Sequence, residues 1–526
     1  MINATDKKTF SLKTPQQCLK KLSTLSARIK ITFFSSLIWG ILAHLYTFTN
    51  KLPNHDDINS LRGYGAGYSS GRWFLAICGD FVKNMFGNYS LPWINGLLTI
   101  VLLGISACLF IKLFDIYDTL ECILISGIMI TFPTVTCLLN FMFTSYYYGI
   151  AILLTFTACY LAIKNKYGFV LALILIGCAT GTYQSFFILA AGILLLYLIK
   201  DCMSKSTSTK DIFHESFKFL LLLLTALLFY LIINKLFLHI KQVELTDYQG
   251  INQMSVISLP EICFGIKQTY SQFFQMLCED YLGITNTAFI RFLLMATILL
   301  DFILGILWLL RSQNKSNKLF FILFIILFPA SVNGIYIICP RSPYIYALMF
   351  YSLILVWILP IILWNGVKDY PVTIKPQLNA IFNWMLTICL GVSILYFSRY
   401  ANSVYLSMDF ALTQAESYYT TLVTRIKSVT GYQEDLPVAY LGNIQDKTLY
   451  TSTQLFKEIT VADGSRVIIG NYSWKKFLKT YLGFSPKEIT DTTALSSMPE
   501  VQSMPCYPSD GSICRIDDVI IVKFSD

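Results

Sequence analysis

Charge is scarce in this chain. Only 13% of its 526 residues are Asp, Glu, Lys or Arg, against 55% hydrophobic. A soluble globular protein carries about a quarter charged residues, so a wholly soluble fold is excluded. Histidine is scarcer still. There are four, none of them paired, which argues against a His-based metal site. No Gly-rich nucleotide loop and no G-x-S-x-G elbow occur. The net charge of +9 does not signal nucleic acid. Its basic residues cluster in short loops between apolar runs, as membrane topology requires.

What is abundant is apolar sequence. A span needs about 20 mostly apolar residues. Eleven runs qualify, near 31–48, 91–111, 119–136, 144–163, 168–181, 184–199, 217–239, 286–310, 319–338, 343–364 and 379–398. The stretch 168–199 is uncharged throughout. As one helix it would reach roughly 48 Å, too long for a single pass. Gly181-Thr182-Tyr183-Gln184 supplies a turn that splits it. The first run shows no cleavage site after Phe48 and reads as a retained, signal-anchor-like helix. The expected fold is therefore an all-α polytopic membrane protein of about eleven transmembrane helices. It has a cytoplasmic segment at 1–30, a membrane domain at 31–398 and a small α/β domain at 400–526.

Lys/Arg bias sets orientation. With the N-terminus inside, the inside loops hold Lys112, Lys164, Lys200, Arg311 and Lys368, while the loops at 137–143 and 181–184 hold neither Lys nor Arg. The loops 49–90 and 240–285, and residues 400–526, then lie outside. In the last region Pro437–Leu441, Arg466–Ile469 and Val519–Phe524 read as strands, and Trp474–Leu482 as an amphipathic helix. Cys506 and Cys514 flank a turn there, and a disulfide between them is expected in an oxidising compartment. Cys263 and Cys278 form a second candidate pair.

An acidic pair stands directly outside the first span, in His55-Asp56-Asp57-Ile58-Asn59. Carboxylates beside hydrocarbon are costly and mark functional sites. The same loop carries Arg62, Arg72 and Asp80, and its Trp73–Phe86 stretch reads as a helix on the membrane surface. Arg341, in Cys339-Pro340-Arg341, offers a planar fork suited to phosphate. Asn140, Tyr146–Tyr148, Tyr183 and Gln184 gather polar and aromatic groups at the outer ends of later spans. Asp56 and Asp57 could also hold a divalent cation, magnesium or manganese, through oxygen ligands. Arg291 and Asp301 lie ten residues apart in one span, too far along it to pair.

Together these residues resemble the GT-C superfamily of polyprenyl-phosphate-dependent glycosyltransferases. The finer pattern is similar to the bacterial and phage GtrII-type glucosyltransferases, which decorate the O-antigen of lipopolysaccharide and change serotype. It is carried by Asp56-Asp57, Gly71-Arg72, Phe132-Pro133, Asn140, Tyr146–Tyr148, Gly181–Gln184 and Pro340-Arg341, over residues 30–365. The family pattern often sets an acidic residue near the tyrosine cluster; this chain has none there.

The resemblance implies transfer of a sugar, glucose by family, from a polyprenyl-phosphate donor. The acceptor would be lipid-linked O-antigen or another surface polysaccharide, outside the inner (cytoplasmic) membrane of a bacterium. One carboxylate would act as general base, Asp57 in preference to Asp56. Arg341, then Arg72 and Arg62, would bind the donor phosphate. Asn59, Tyr146, Tyr183 and Gln184 would contact substrate. Single displacement would invert the anomeric centre. The competing readings are a flippase or transporter of a lipid-linked saccharide, and an O-antigen polymerase or ligase.

Overall fold

The structure is a computed structural model that describes residues 14–87, 89–246, 258–340, 345–368, 376–444 and 468–526. It is mostly helical. A short amphipathic helix α1 (Pro15–Ser23) precedes α2 (Ala27–Thr49), the five-residue α3 (His55–Asn59) and α4 (Trp73–Phe86). The bundle continues through α5 (Pro92–Leu113), α6 (Thr119–Thr131), α7 (Pro133–Asn140), α8 (Ser145–Lys164), α9 (Phe169–Thr180) and α10 (Phe186–Met203). Then come α11 (Thr209–Lys241), α12 (Leu259–Gln275), α13 (Ala288–Arg311), α14 (Lys315–Val332), the single turn α15 (Ile335–Ile338) and α16 (Ile354–Lys368). The long α17 (Pro376–Lys427) leads to a small unit with α18 (Trp474–Tyr481), α19 (Thr493–Ser496) and α20 (Pro499–Gln502).

Among the described residues nine helices are long and apolar enough to cross a membrane, and the bent pair α6–α7 makes a tenth. This is a multi-pass membrane protein. The expected count of eleven is not reached, because α9 has only 12 residues. At 1.5 Å per residue it spans about 18 Å, short of a bilayer core of about 30 Å. The α6–α7 bend of 40° falls at Phe132-Pro133. A proline disfavours helical backbone at the residue before it, and Phe132 is extended at ψ 139°. The break lets α7 end at Asn140, close under α3.

The two ends of the bundle differ. Helices α5, α8 and α10 start beside the acidic pair and end in basic residues. Lys164 and Lys200 meet Asp115 at 3.0 and 2.8 Å at that far end. Lys368 closes α16 on Glu121 at 3.0 Å.

The expected boundary at 398–400 lies within one helix. Helix α17 runs unbroken for 52 residues, roughly 78 Å. Its first part packs in the bundle through Leu386, Leu390, Ile394 and Phe397. Its middle, Tyr400 to Met408, packs on Ala43 and Leu52. Its last turns, Ala415 to Ile426, enter the core of the C-terminal unit. One rod thus passes through three apolar clusters and ties the membrane bundle to the unit beyond it.

That unit is α/β. Its strands β1 (Val438–Leu441), β2 (Glu488–Ile489), β3 (Ile513–Ile516) and β4 (Val519–Lys523) form one sheet in the order β2-β1-β4-β3. Strand β1 is parallel to β2 and β4, with Ala439 opposite Ile521, and β3–β4 is an antiparallel hairpin. The expected strands at Pro437–Leu441 and Val519–Phe524 are present. Of that expected at 466–469, residues 466 and 467 lie outside the described residues, and Ile468 and Ile469 sit in a turn. Cys506 and Cys514 are free thiols, as are Cys263 and Cys278. The Cys514 sulfur is turned into the apolar cluster of Val501, Met504 and Ile521, 3.5 Å from the Met504 sulfur.

Candidate active site

The acidic pair owes its geometry to Asn54. This fully buried residue caps α3, its Oδ1 accepting from the Asp56 and Asp57 amides at 2.7 and 2.9 Å. Its Nδ2 donates to the Asn140 carbonyl at 2.6 Å, fixing α3 to the end of α7. Ile58 then anchors α3 from the other side, in the core of the C-terminal unit. Neighbours on a helix point about 100° apart, so the two carboxylates part company.

Asp57 is buried. Its Oδ1 accepts from Ser90 Oγ at 2.9 Å and from the Phe143 amide at 3.2 Å, while Oδ2 has no partner among the described residues. Burial pushes its pKa from 3.8 up to about 7, against these hydrogen bonds, which pull it down. Asp56 instead faces a cavity of about 800 Å³. Its side chain is 38% exposed, with the His55 Nε2 3.9 Å from Oδ2. The Tyr472 hydroxyl, from the C-terminal unit, donates to its Oδ1.

Arg72 lines the same cavity, together with Arg62, Tyr148 and Tyr183. Its guanidinium lies 4.8 Å from the centre of the Tyr183 ring. Among the described residues Arg72 meets no carboxylate, and its Nε is buried without a partner. The backbone around it is held hard. Gln184 Nε2 donates to the Ser70 carbonyl at 2.9 Å, and the Tyr230 hydroxyl donates to the Gly71 carbonyl at 3.1 Å. Gly71 takes φ +69°, and a Cβ there would come within 2.7 Å of the Tyr230 oxygen. The next residues dock on the α9–α10 turn, the Phe74 amide donating to the Gly181 carbonyl at 2.8 Å. Arg62 sits 5.3 Å from the centre of the Tyr89 ring. Tyr64, also on the wall, donates to Asp80 on α4 at 3.0 Å.

The site residues expected from sequence sort into three groups. Asp56, Asn59, Arg62, Arg72 and Tyr183 line one cavity. Asp57, Tyr146 and Gln184 are buried behind its wall. Tyr146 packs on Tyr147, ring centres 4.1 Å apart, under Leu75. Gln184 braces the Arg72 loop rather than the cavity. Arg341 lies outside the described residues. Sequence reasoning missed Asn54, Ser90, Tyr230 and Tyr472. Asn54 carried a legible signal, since an Asn ahead of a short acidic helix is a cap; the others come from distant elements.

No group of three or more His, Cys, Asp or Glu that could hold a metal occurs among the described residues. With Asp56 at the cavity and Asp57 buried behind it, the pair does not fit a shared cation.

The multi-pass bundle thus sets a carboxylate, an arginine that meets no carboxylate among the described residues, and tyrosines around one cavity. The family model of glucosyl transferase GtrII matches residues 45–359, more than half of the chain. The chain therefore belongs to the GtrII glucosyl transferase family and is a glycosyltransferase. No curated protein and no solved structure matches it. The matched stretch contains every residue lining the cavity except Tyr472.

Proposed function

We propose that this cavity moves a sugar, glucose as in the family description, from a polyprenyl-phosphate donor to a saccharide acceptor. The acceptor would be lipid-linked O-antigen or a similar surface polysaccharide. The basic far end of the bundle supports a cytoplasmic N-terminus, with cavity and C-terminal unit outside the bacterial inner membrane.

One observation carries the reading: Asp56 and the carboxylate-free Arg72 line the same cavity. The acceptor hydroxyl attacks the anomeric carbon, forming the new glycosidic bond. Its proton passes to the Asp56 carboxylate. The bond from the anomeric carbon to the phosphate oxygen breaks, and its electron pair leaves on the lipid phosphate. That leaving group needs no proton; it needs positive charge held in place. Arg72, with Arg62 behind it, supplies that charge. Tyr148 and Tyr183, both largely buried, border the space for the sugar. One displacement inverts the anomeric centre. Asp57, preferred as base from sequence, has no exposed oxygen for this step and instead pins the Phe143 loop.

The test is direct. Purified protein with polyprenyl-phosphate glucose and acceptor should release lipid phosphate in step with product of inverted configuration. Movement of intact donor across a vesicle wall without lipid-phosphate release would make it a transporter instead.

A further inference from the structure

The proposed base is already occupied by a hydroxyl. Tyr472 donates its O–H to Asp56 Oδ1, and its ring meets His55 edge-on at 5.4 Å between centres. An acceptor sugar must present its own O–H to that carboxylate in the same way before its proton can be taken. A saccharide hydroxyl that takes the same lone pair of Oδ1 must displace the Tyr472 hydroxyl. A phenol is a far weaker acid than a carboxylic acid. The contact is therefore a placeholder and not a transfer.

The surroundings suit a side chain that swings while its backbone stays. Tyr472 is 61% exposed and borders the cavity. One turn on, Lys476 donates to Asn59 at both Oδ1, 2.6 Å, and the carbonyl oxygen, 3.0 Å. With Ile58 in the same core, α3 and the C-terminal unit are one body around Asp56. What can move out of the way is the exposed ring.

Resting on Asp56 as the base, we propose that Tyr472 marks the acceptor subsite. Its hydroxyl stands where the reacting hydroxyl of a saccharide must go. It caps Asp56 until the acceptor displaces it and keeps water from being activated against the donor. The C-terminal unit, beyond the family-matched stretch, would then govern acceptor entry. Failure of the cap exposes Asp56 to water. The water oxygen would bond the anomeric carbon, its proton would go to Asp56, and the lipid phosphate would leave with the electron pair.

Tyr472→Phe keeps the ring and removes the O–H. The purified variant should show an acceptor KM about tenfold lower, the order expected for one hydrogen bond to a carboxylate, with kcat not reduced. Acceptor-free release of lipid phosphate and free glucose should rise. An unchanged KM with unchanged hydrolysis overturns the proposal. So does a fall in kcat at unchanged KM, which would make the hydroxyl an orienting group for the base. Asp56→Asn run in parallel separates the two ideas. If it retains full transfer, the base assignment itself fails. If it is inactive while Tyr472→Phe matches the parent, only the acceptor subsite fails. Equal melting temperatures check that neither result is unfolding.

Discussion

The two walls of the cavity are built on different plans. Arg72 is set in a wall made wholly of the membrane bundle. Buried Gln184 and Tyr230 hold its backbone, and a left-handed glycine leaves no room for adjustment. Asp56 stands on a five-residue helix between bundle and C-terminal unit, partly exposed, with its Oδ1 accepting from the exposed Tyr472. The rigid wall suits a constant partner, the phosphate of the donor. The jointed wall suits a step in which one hydroxyl replaces another.

The comparison can be broken at either wall. Asp56→Asn removes the base and should lower transfer by about two to four orders of magnitude, measured as product formed at saturating substrates with an unchanged melting temperature. Arg72→Ala should lower kcat by roughly 10²–10³, and Arg72→Lys should recover only part of it, because an ammonium lacks the fork. Gln184→Ala tests rigidity. It unpairs the Ser70 carbonyl and should cost about 1–3 kcal/mol of stability, with a smaller loss of rate through a loosened Arg72; thermal unfolding in detergent and the rate together check it.

The smallest effect on transfer concerns Asp57. Its carboxyl is raised from 3.8 to about 7 by burial. The folded state thus binds more protons than the unfolded state between those values. Asp57 contributes its stability fully below about pH 3.8 and loses it as pH rises to about 7. Asp57→Asn does not titrate and keeps an acceptor for Ser90 and Phe143. Its melting temperature should gain on the parent from pH 4 to pH 7 and then run parallel.

The rigid wall was more legible in the sequence than the jointed one. Apolar runs report helices because the bilayer demands them; ten of the eleven expected runs fall mainly on helices, and the run 343–364 is α-helical only from Ile354. The turn at Gly181–Gln184 and the helix Trp73–Phe86 were readable from local chemistry. Arg72 could be picked out as a charge in an apolar loop. The division of labour within Asp56-Asp57 could not. Adjacent residues look alike in sequence, and only the positions of Ser90 and Phe143 decide which one is buried. Tyr472 was beyond reach for the same reason, lying 416 residues from its partner. Near residue 400 hydropathy falls while helical periodicity does not, and α17 continues there on apolar residues that face a different core.

Asp56→Asn and Asp57→Asn, assayed side by side for lipid-phosphate release from polyprenyl-phosphate glucose with acceptor present, test the central assignment most directly. Release should be abolished in Asp56→Asn and retained in Asp57→Asn. The reverse pattern, with Asp57→Asn inactive though folded and Asp56→Asn active, would contradict it.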